Sequence, residues 1–458
     1  MRLTLSVLLL LFSSLMNAGA QTSAHYIPGI NDSISLLPAK KLITDKYHSD
    51  SASLTGENKN YSLGLYRERY KMLSDMFGRN TFYYSAEATK YLESLTGEII
   101  RNNPVLSGLS PHFLFSKEDI PNAYSTGEGT IVLNMGLFVK LQNEAQVAFA
   151  LCHELSHLYL DHSNIAINQY VSTVYSKEFQ QKLKDLKKQE YEKNKELDKL
   201  AKTVVFSGRR HGRLHETEAD SMGLSLMKNT RFSTSESLTC LALLDSIDKD
   251  SYDPQNGLPK VFNSASYPFR DSWLKQENSF FGVSVDHPMH YKEEDSLKTH
   301  PDCSARITRL KPATEQTKIN PGTLNPVNAE LFKKLQKEFE MEEIAFAFKT
   351  DRVSRCLYRS LQLYDKDPSN IYAATMIGKC FNEMYEHQKI HTLNHIVSLP
   401  APMADKNYNT LLEFIQRISL ADMAAINYFF LNRPELSSAG DKDLAEALSK
   451  ATANYNAH

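Results

Sequence analysis

The chain has 458 residues, enough for two or three domains. Hydrophobic residues make up 41% and charged residues 23%, the balance of a soluble globular protein. A formal net charge of −2 gives no excess of positive charge, which argues against nucleic acid or an anionic membrane as the main partner.

Arg2, a mostly apolar run from Leu3 to Met16, and small residues at Ala18 and Ala20 read as a secretory signal peptide cut after Ala20. The run is short for a membrane span, and no cysteine follows it to carry a lipid. No later segment approaches the roughly 18 apolar residues of a span. The mature protein is therefore expected to be exported, periplasmic or secreted, with no transmembrane span after cleavage. Residues 21–60 are polar and are expected to be loosely ordered. From Tyr61 to about Ile100 the apolar spacing is helical. His112–Phe115 and Thr130–Asn134 are short apolar runs bounded by turn residues, hence strands.

Asn143, with Gln146 three residues on, can cap a helix whose apolar stripe is Val147, Ala150, Leu151, Leu155 and Leu158. His153, Glu154 and His157 lie within it. Residues at i and i+4 share one helix face, so the two imidazoles can reach a single ion. Glu154 is rotated by about 100° from His153 and can reach a water on that ion without ligating it. A third ligand is offered by "HETEAD". Glu216 and Asp220 are again four apart. Glu216 can complete a three-ligand zinc site, one ion per chain, with a position left for water. Asp220 can accept the N–H of a ligating imidazole. Glu218, about 160° around the helix from Glu216, is the alternative ligand. His211 and His215, also four apart, read as surface residues or as support for the first shell.

Ser176 to Lys202 reads as a long, solvated, densely charged helix, and Arg213 to Asn229 as another helix. Pro312 to Asn328 is a linker rich in Pro, Thr and Asn. The remainder is helical in pattern. Pro368 and Pro402 stand 34 residues apart (402 − 368), the period of tetratricopeptide helix pairs. In that register Gly378, Phe381, Ala424 and Tyr428 take the small and aromatic positions; the competing reading is an ordinary helical bundle. The five cysteines form no C-x-x-C pair, so a cysteine-based zinc site is not expected. Cys152 reads as core. Cys356 and Cys380, on neighbouring helices of the repeat register, read equally as a disulfide or as core packing.

Four stretches in order, "NAYSTGEGTIVLNMGL" (Asn122 to Leu137), "NEAQVAFALCHELSHLYLDH" (Asn143 to His162), "RLHETEAD" (Arg213 to Asp220) and "THPDCSARI" (Thr299 to Ile307), resemble the CAAX-prenyl-protease/HtpX-type zinc metallopeptidases, which are gluzincins. The resemblance implies an α+β, mostly helical fold: a zincin-like peptidase domain with a small sheet, followed by tetratricopeptide-like helical repeats, as in the soluble periplasmic members. It implies His153, His157 and Glu216 as zinc ligands and Glu154 as general base. His300 would steady the developing oxyanion, with Arg306 holding its segment. His300 is preferred to His287 because Arg306 stands six residues after it, where His287 has Glu293.

The strand at Thr130, Ile131 and Val132 is expected to pair with an extended substrate, with Asn122 and Ala123 positioning its backbone. That mode favours unfolded polypeptide. The expected organisation is a signal peptide (1–20), a polar segment (21–60), a zinc metallopeptidase domain (61–312), a linker (313–330), helical repeats (331–438) and a polar tail (439–458). The expected function is a zinc metalloendopeptidase acting on misfolded exported or envelope proteins. The alternative is a periplasmic chaperone or scaffold working through its repeats, which are also the expected surface for a protein partner. A purely structural zinc site is disfavoured, since such sites close with four protein ligands.

Overall fold

In the computed structural model, residues 26–29, 34–188, 212–246, 252–274, 303–315, 322–401 and 405–458 are described. The expected signal peptide, His211, His287 and His300 lie outside them.

Among the described residues four short strands form one sheet in the order β1–β2–β4–β3: β1 (Phe82–Tyr83), β2 (His112–Ser116), β3 (Ala123–Ser125) and β4 (Thr130–Asn134). β4 runs parallel to β2, with His112 opposite Thr130, and antiparallel to β3, with Ala123 opposite Leu133. Side chains alternate across the pleat. Leu114 and Val132 face one way; Phe115, Ile131 and Leu133 face the other. The β3–β4 hairpin turns through Gly127 and Gly129, at φ of +81° and +111°. At Gly127 a side chain would also strike Ser163, so glycine is required twice over.

The first face is covered by α1 (Leu37–Ser53) and α2 (Lys59–Gly78), through Leu36, Ile43, Leu73 and Met76. The segment expected to be loosely ordered thus contains a helix. Two buried anchors, Leu36 and Ile43, suffice to dock it in spite of its polar composition. The helical stretch expected from Tyr61 to Ile100 is interrupted. The chain turns at Asn80, in the left-handed region at φ +56°, forms β1, and resumes as α3 (Ala86–Arg101).

The second face carries the main core. It is built by α3, α4 (Met135–Lys140), α5 (Glu144–Tyr159), α8 (212–228), α9 (Glu236–Ser246) and α11 (Cys303–Glu315). α6 (His162–Val174) and α7 (Lys177–Lys188) follow α5. α7 is the described part of the expected charged helix.

The C-terminal helices are α12 (Ala329–Lys349), α13 (Val353–Lys366), α14 (Ile371–Lys389), α15 (Lys406–Arg417), α16 (Leu420–Leu431) and α17 (Lys442–Asn456). They enclose a second large core. Three features depart from the expected division. α12 is shared: Phe332, Leu335 and Phe339 pack in the core beneath the sheet, whereas Ile344 and Ala347 pack in the C-terminal one. Residues 252–274, which include α10 (Pro254–Phe262), place Leu258, Phe262 and Trp273 in the C-terminal core, not the core beneath the sheet. The expected polar tail is α17, whose Leu444, Ala447 and Ala451 lie on one helical face and are buried. Gly378, Phe381 and Ala424 are buried in α14 and α16, and Tyr428 stacks on Tyr455 of α17 at 4.7 Å.

Candidate metal centre and active site

α5 is capped as its sequence requires. The Asn143 side chain accepts from Gln146 N at 3.0 Å, while Gln146 Oε1 accepts from Gln142 N at 2.8 Å. Glu144, at the first turn, is buried. Its carboxylate accepts from Tyr91 Oη at 2.9 Å and from the backbone N–H groups of Val327 and Asn328 at 2.7 Å each. The motif helix is thereby tied to α3 and to the start of α12.

On α5, His153 Nε2 and His157 Nε2 lie 3.0 Å apart. α8 brings Glu216 opposite them, with Oε1 3.3 Å from His157 Nε2 and Oε2 3.5 Å from His153 Nε2. The close approach of the two helices depends on Gly223, where a Cβ would lie 3.1 Å from His153 N. Three ligand atoms thus converge on one point. His153 Nδ1 donates to Asp220 Oδ1 at 3.0 Å, which leaves Nε2 for an ion. Arg306 of α11 grips Asp220 through Nε–Oδ2 at 2.7 Å and Nη2–Oδ1 at 2.6 Å, and its Nη1 lies 3.3 Å from Glu216 Oε2. Arg306 therefore holds the carboxylates, beyond its expected hold on its own segment.

The charges test whether a cation fits. Burial acts to lower the His153 pKa, but hydrogen bonds to Asp220 and Glu216 outweigh it and hold it at about 10. Burial acts to raise Asp220, but hydrogen bonds from Arg306 and His153 hold its carboxyl below the usual range. Two carboxylates against one arginine call for another positive charge at this point. A divalent ion on two imidazoles and a carboxylate supplies it, and the donor set suits zinc.

Glu154 is buried one residue along and lines a small cleft with Asn122, Ala123, Leu137 and Phe149. Asn122 and Ala123 are thus brought to the site. Thr130, Ile131 and Val132 are not. β4 lies inside the sheet, paired with β2 on one side and β3 on the other, and these three residues are fully buried. β4 therefore cannot take a substrate strand; the sheet ends beside the cleft at β3. Sequence reasoning missed β3 because three residues, "AYS", carry no readable alternation.

It also missed His162. This residue follows His157 by five positions, and its Nδ1 lies 2.9 Å from His157 Nδ1. Its Nε2 lies 3.1 Å from Glu218 Oε2. Glu218 thus faces His162, while Glu216 faces the ligand pair. Cys152 is core, as expected, and all five cysteines are buried free thiols, Cys356 and Cys380 included.

Residues 87–314 match peptidase family M48. The chain carries an M48 domain. This is a family of zinc metallopeptidases, and the matched stretch contains every residue of the cluster just described. A stretch of 150 residues, 32% of the chain, is 27% identical to the beta-barrel assembly-enhancing protease of Yersinia pestis. That match spans 27% of the relative's length. The M48 domain begins at α3 and closes with α11, so α12–α17 lie beyond it. Among the described residues no helix is long and apolar enough to cross a membrane.

Proposed function

We propose that the chain is an exported zinc endopeptidase that cleaves unfolded or misfolded polypeptide. His153, His157 and Glu216 hold one zinc ion, and Glu154 is the general base. The observation that carries the reading is the convergence of these three ligand atoms beside a cleft that contains Glu154.

Zinc held there supplies Lewis-acid polarisation of the attacking water and of the scissile carbonyl. Glu154 takes the proton from the water and delivers it to the leaving amine. Burial of Glu154 keeps that transfer out of bulk solvent. Asp220, clamped by Arg306, keeps the proton of His153 on Nδ1 and so aims Nε2 at the ligand point. A substrate that lies in the cleft runs past Asn122 and Ala123, at the β3 end of the sheet. An extended chain fits this arrangement better than a folded one, because its backbone groups are open to pairing. The export signal read at the N-terminus and the likeness to a protease named for β-barrel assembly support an envelope substrate.

The test uses full-length mature protein and casein as the unfolded substrate. Chelator-sensitive cleavage is expected, with a loss of about 10²–10⁴-fold in Glu154→Gln at unchanged zinc content. Turnover retained in that variant would remove Glu154 as the base. A zinc-loaded wild type that binds casein without cutting it would favour the chaperone reading.

A further inference from the structure

Beside the ligand cluster, α6 and α8 bring together a second set of donor atoms that hydrolysis does not use. His162 opens α6, and its Nε2 lies 3.1 Å from Glu218 Oε2. His215 stands three residues before Glu218, hence on the same face of α8. Its ring stacks on His162 with centroids 4.2 Å apart and planes 8° apart. One ligand atom from each of His162, His215 and Glu218 lies within 4.8 Å of the others. His162 is buried, whereas the Glu218 side chain is 60% exposed, so the set opens to solvent on one side.

We infer that His162, His215 and Glu218 form a second divalent-cation site, coupled unfavourably to the first. Two imidazoles and a carboxylate are a zinc-type donor set. The exposed glutamate makes this the weaker, more readily exchanged site, because ordering it costs side-chain freedom that the half-buried Glu216, held by Arg306, has largely lost already.

The coupling follows from counting protons. This step rests on the reading of His157 as a ligand. With its Nε2 committed to the first ion, His157 carries its proton on Nδ1 and donates it to His162 Nδ1, 2.9 Å away. His162 then carries its own proton on Nε2 and donates it to Glu218. A second ion takes that Nε2 position. The displaced proton has two destinations. If it leaves for solvent, His162 becomes an imidazolate. If it moves to His162 Nδ1, two N–H groups face each other across 2.9 Å and the His157–His162 bond breaks. Either way, filling the second site costs free energy at the first, and by linkage each ion weakens the other. In the second case His157 also loses the partner that orients its ring, and excess zinc inhibits.

The experiment titrates the metal-free full-length chain with zinc alone, by calorimetry, and follows casein cleavage across the same range. Wild type is expected to bind two ions of unequal affinity. His215→Ala is expected to keep only the tight one, and Glu216→Ala only the weak one. Wild-type cleavage should peak near one equivalent and fall several-fold as the second ion binds, while His215→Ala holds its plateau. Glu218→Gln, altered at an exposed side chain, repeats the test should His215→Ala fold poorly. A single binding event in wild type, or two events surviving in both variants, overturns the second site. Two events with no fall in cleavage overturn the coupling. Failure of the first-site reading shows differently: Glu216→Ala would then bind zinc as wild type does.

Discussion

Two buried ionic networks lie in this molecule, and they are balanced in opposite ways. At the metal centre, Glu216 and Asp220 face Arg306, and the surplus negative charge holds His153 at a pKa of about 10. At the junction with the C-terminal helices, Asp119 is almost surrounded by cations. Arg355 Nε bonds to its carboxylate, Arg359 Nε lies 3.3 Å away, and Arg352 Nη1 lies 3.7 Å away. Burial acts to raise Asp119, but Arg355 and Arg359 pull it down to about 2. The junction carries its own cations and is complete as it stands. The metal centre, without an ion, makes up its deficit with a proton on His153, which a bound metal would displace. A buried network that lacks a charge marks a binding site, whereas a neutralised one marks a fixed joint between units.

The comparison breaks most readily at Arg306, the permanent cation of the metal centre. Arg306→Ala would leave Asp220 and Glu216 buried together. It is expected to cost about 3–5 kcal/mol in the metal-free protein. Zinc should restore much of that loss, because it supplies the missing charge. Denaturant midpoints with and without zinc check this; a loss that zinc does not reduce would mean that Arg306 serves packing alone. Asp119→Ala is the matching change at the junction. It takes the carboxylate from Arg355 and Arg359, while Arg352 keeps Glu118 at 3.0 Å; Arg355, with 25% side-chain exposure, can turn to water. A smaller loss, about 2–3 kcal/mol, is expected, and it should not respond to zinc. Equal zinc responses in the two variants would erase the distinction.

Asp220→Asn is a finer probe. It keeps shape and removes the charge behind His153, so zinc affinity should fall about 10–100-fold with the fold intact. Competition with a chromogenic chelator measures it. Unchanged affinity would mean that the Asp220–His153 bond does not tune the ligand.

Most of the metal centre was legible in sequence because its residues are joined by helical spacing: His153 to His157 and Glu216 to Asp220, each within one turn. The capped, apolar-striped helix around the first pair was legible for the same reason. His162 was not, since its partner Glu218 lies on another helix and no period links the two. The junction was equally hidden: Asp119 meets arginines more than 230 positions further on. α17 was misjudged because its stripe of Leu444, Ala447 and Ala451 relies on small residues that composition counts as a weak apolar signal. The placement of Phe262 and Trp273 in the C-terminal core is a matter of long-range docking, to which local pattern is blind.

Glu343 offers the subtlest test of the junction. It is buried in α12 near Arg359 and Asp119. Burial pushes its pKa up to about 8 from the usual 4.5, and Arg359 only partly opposes this. The network is therefore closed by holding this carboxyl neutral. Because the folded value lies above the unfolded one, the stabilisation is full below about pH 4.5 and is lost as pH rises through about 8. Glu343→Gln keeps a neutral side chain of the same shape at every pH. The variant should come close to wild type near pH 5 and exceed it by up to a few kcal/mol at pH 8.5. Chemical denaturation at the two pH values, at constant ionic strength, decides it. Parallel pH profiles for the two proteins would mean that Glu343 is ionised in the fold and paired with Arg359, and that the junction is balanced by a carboxylate instead of a proton.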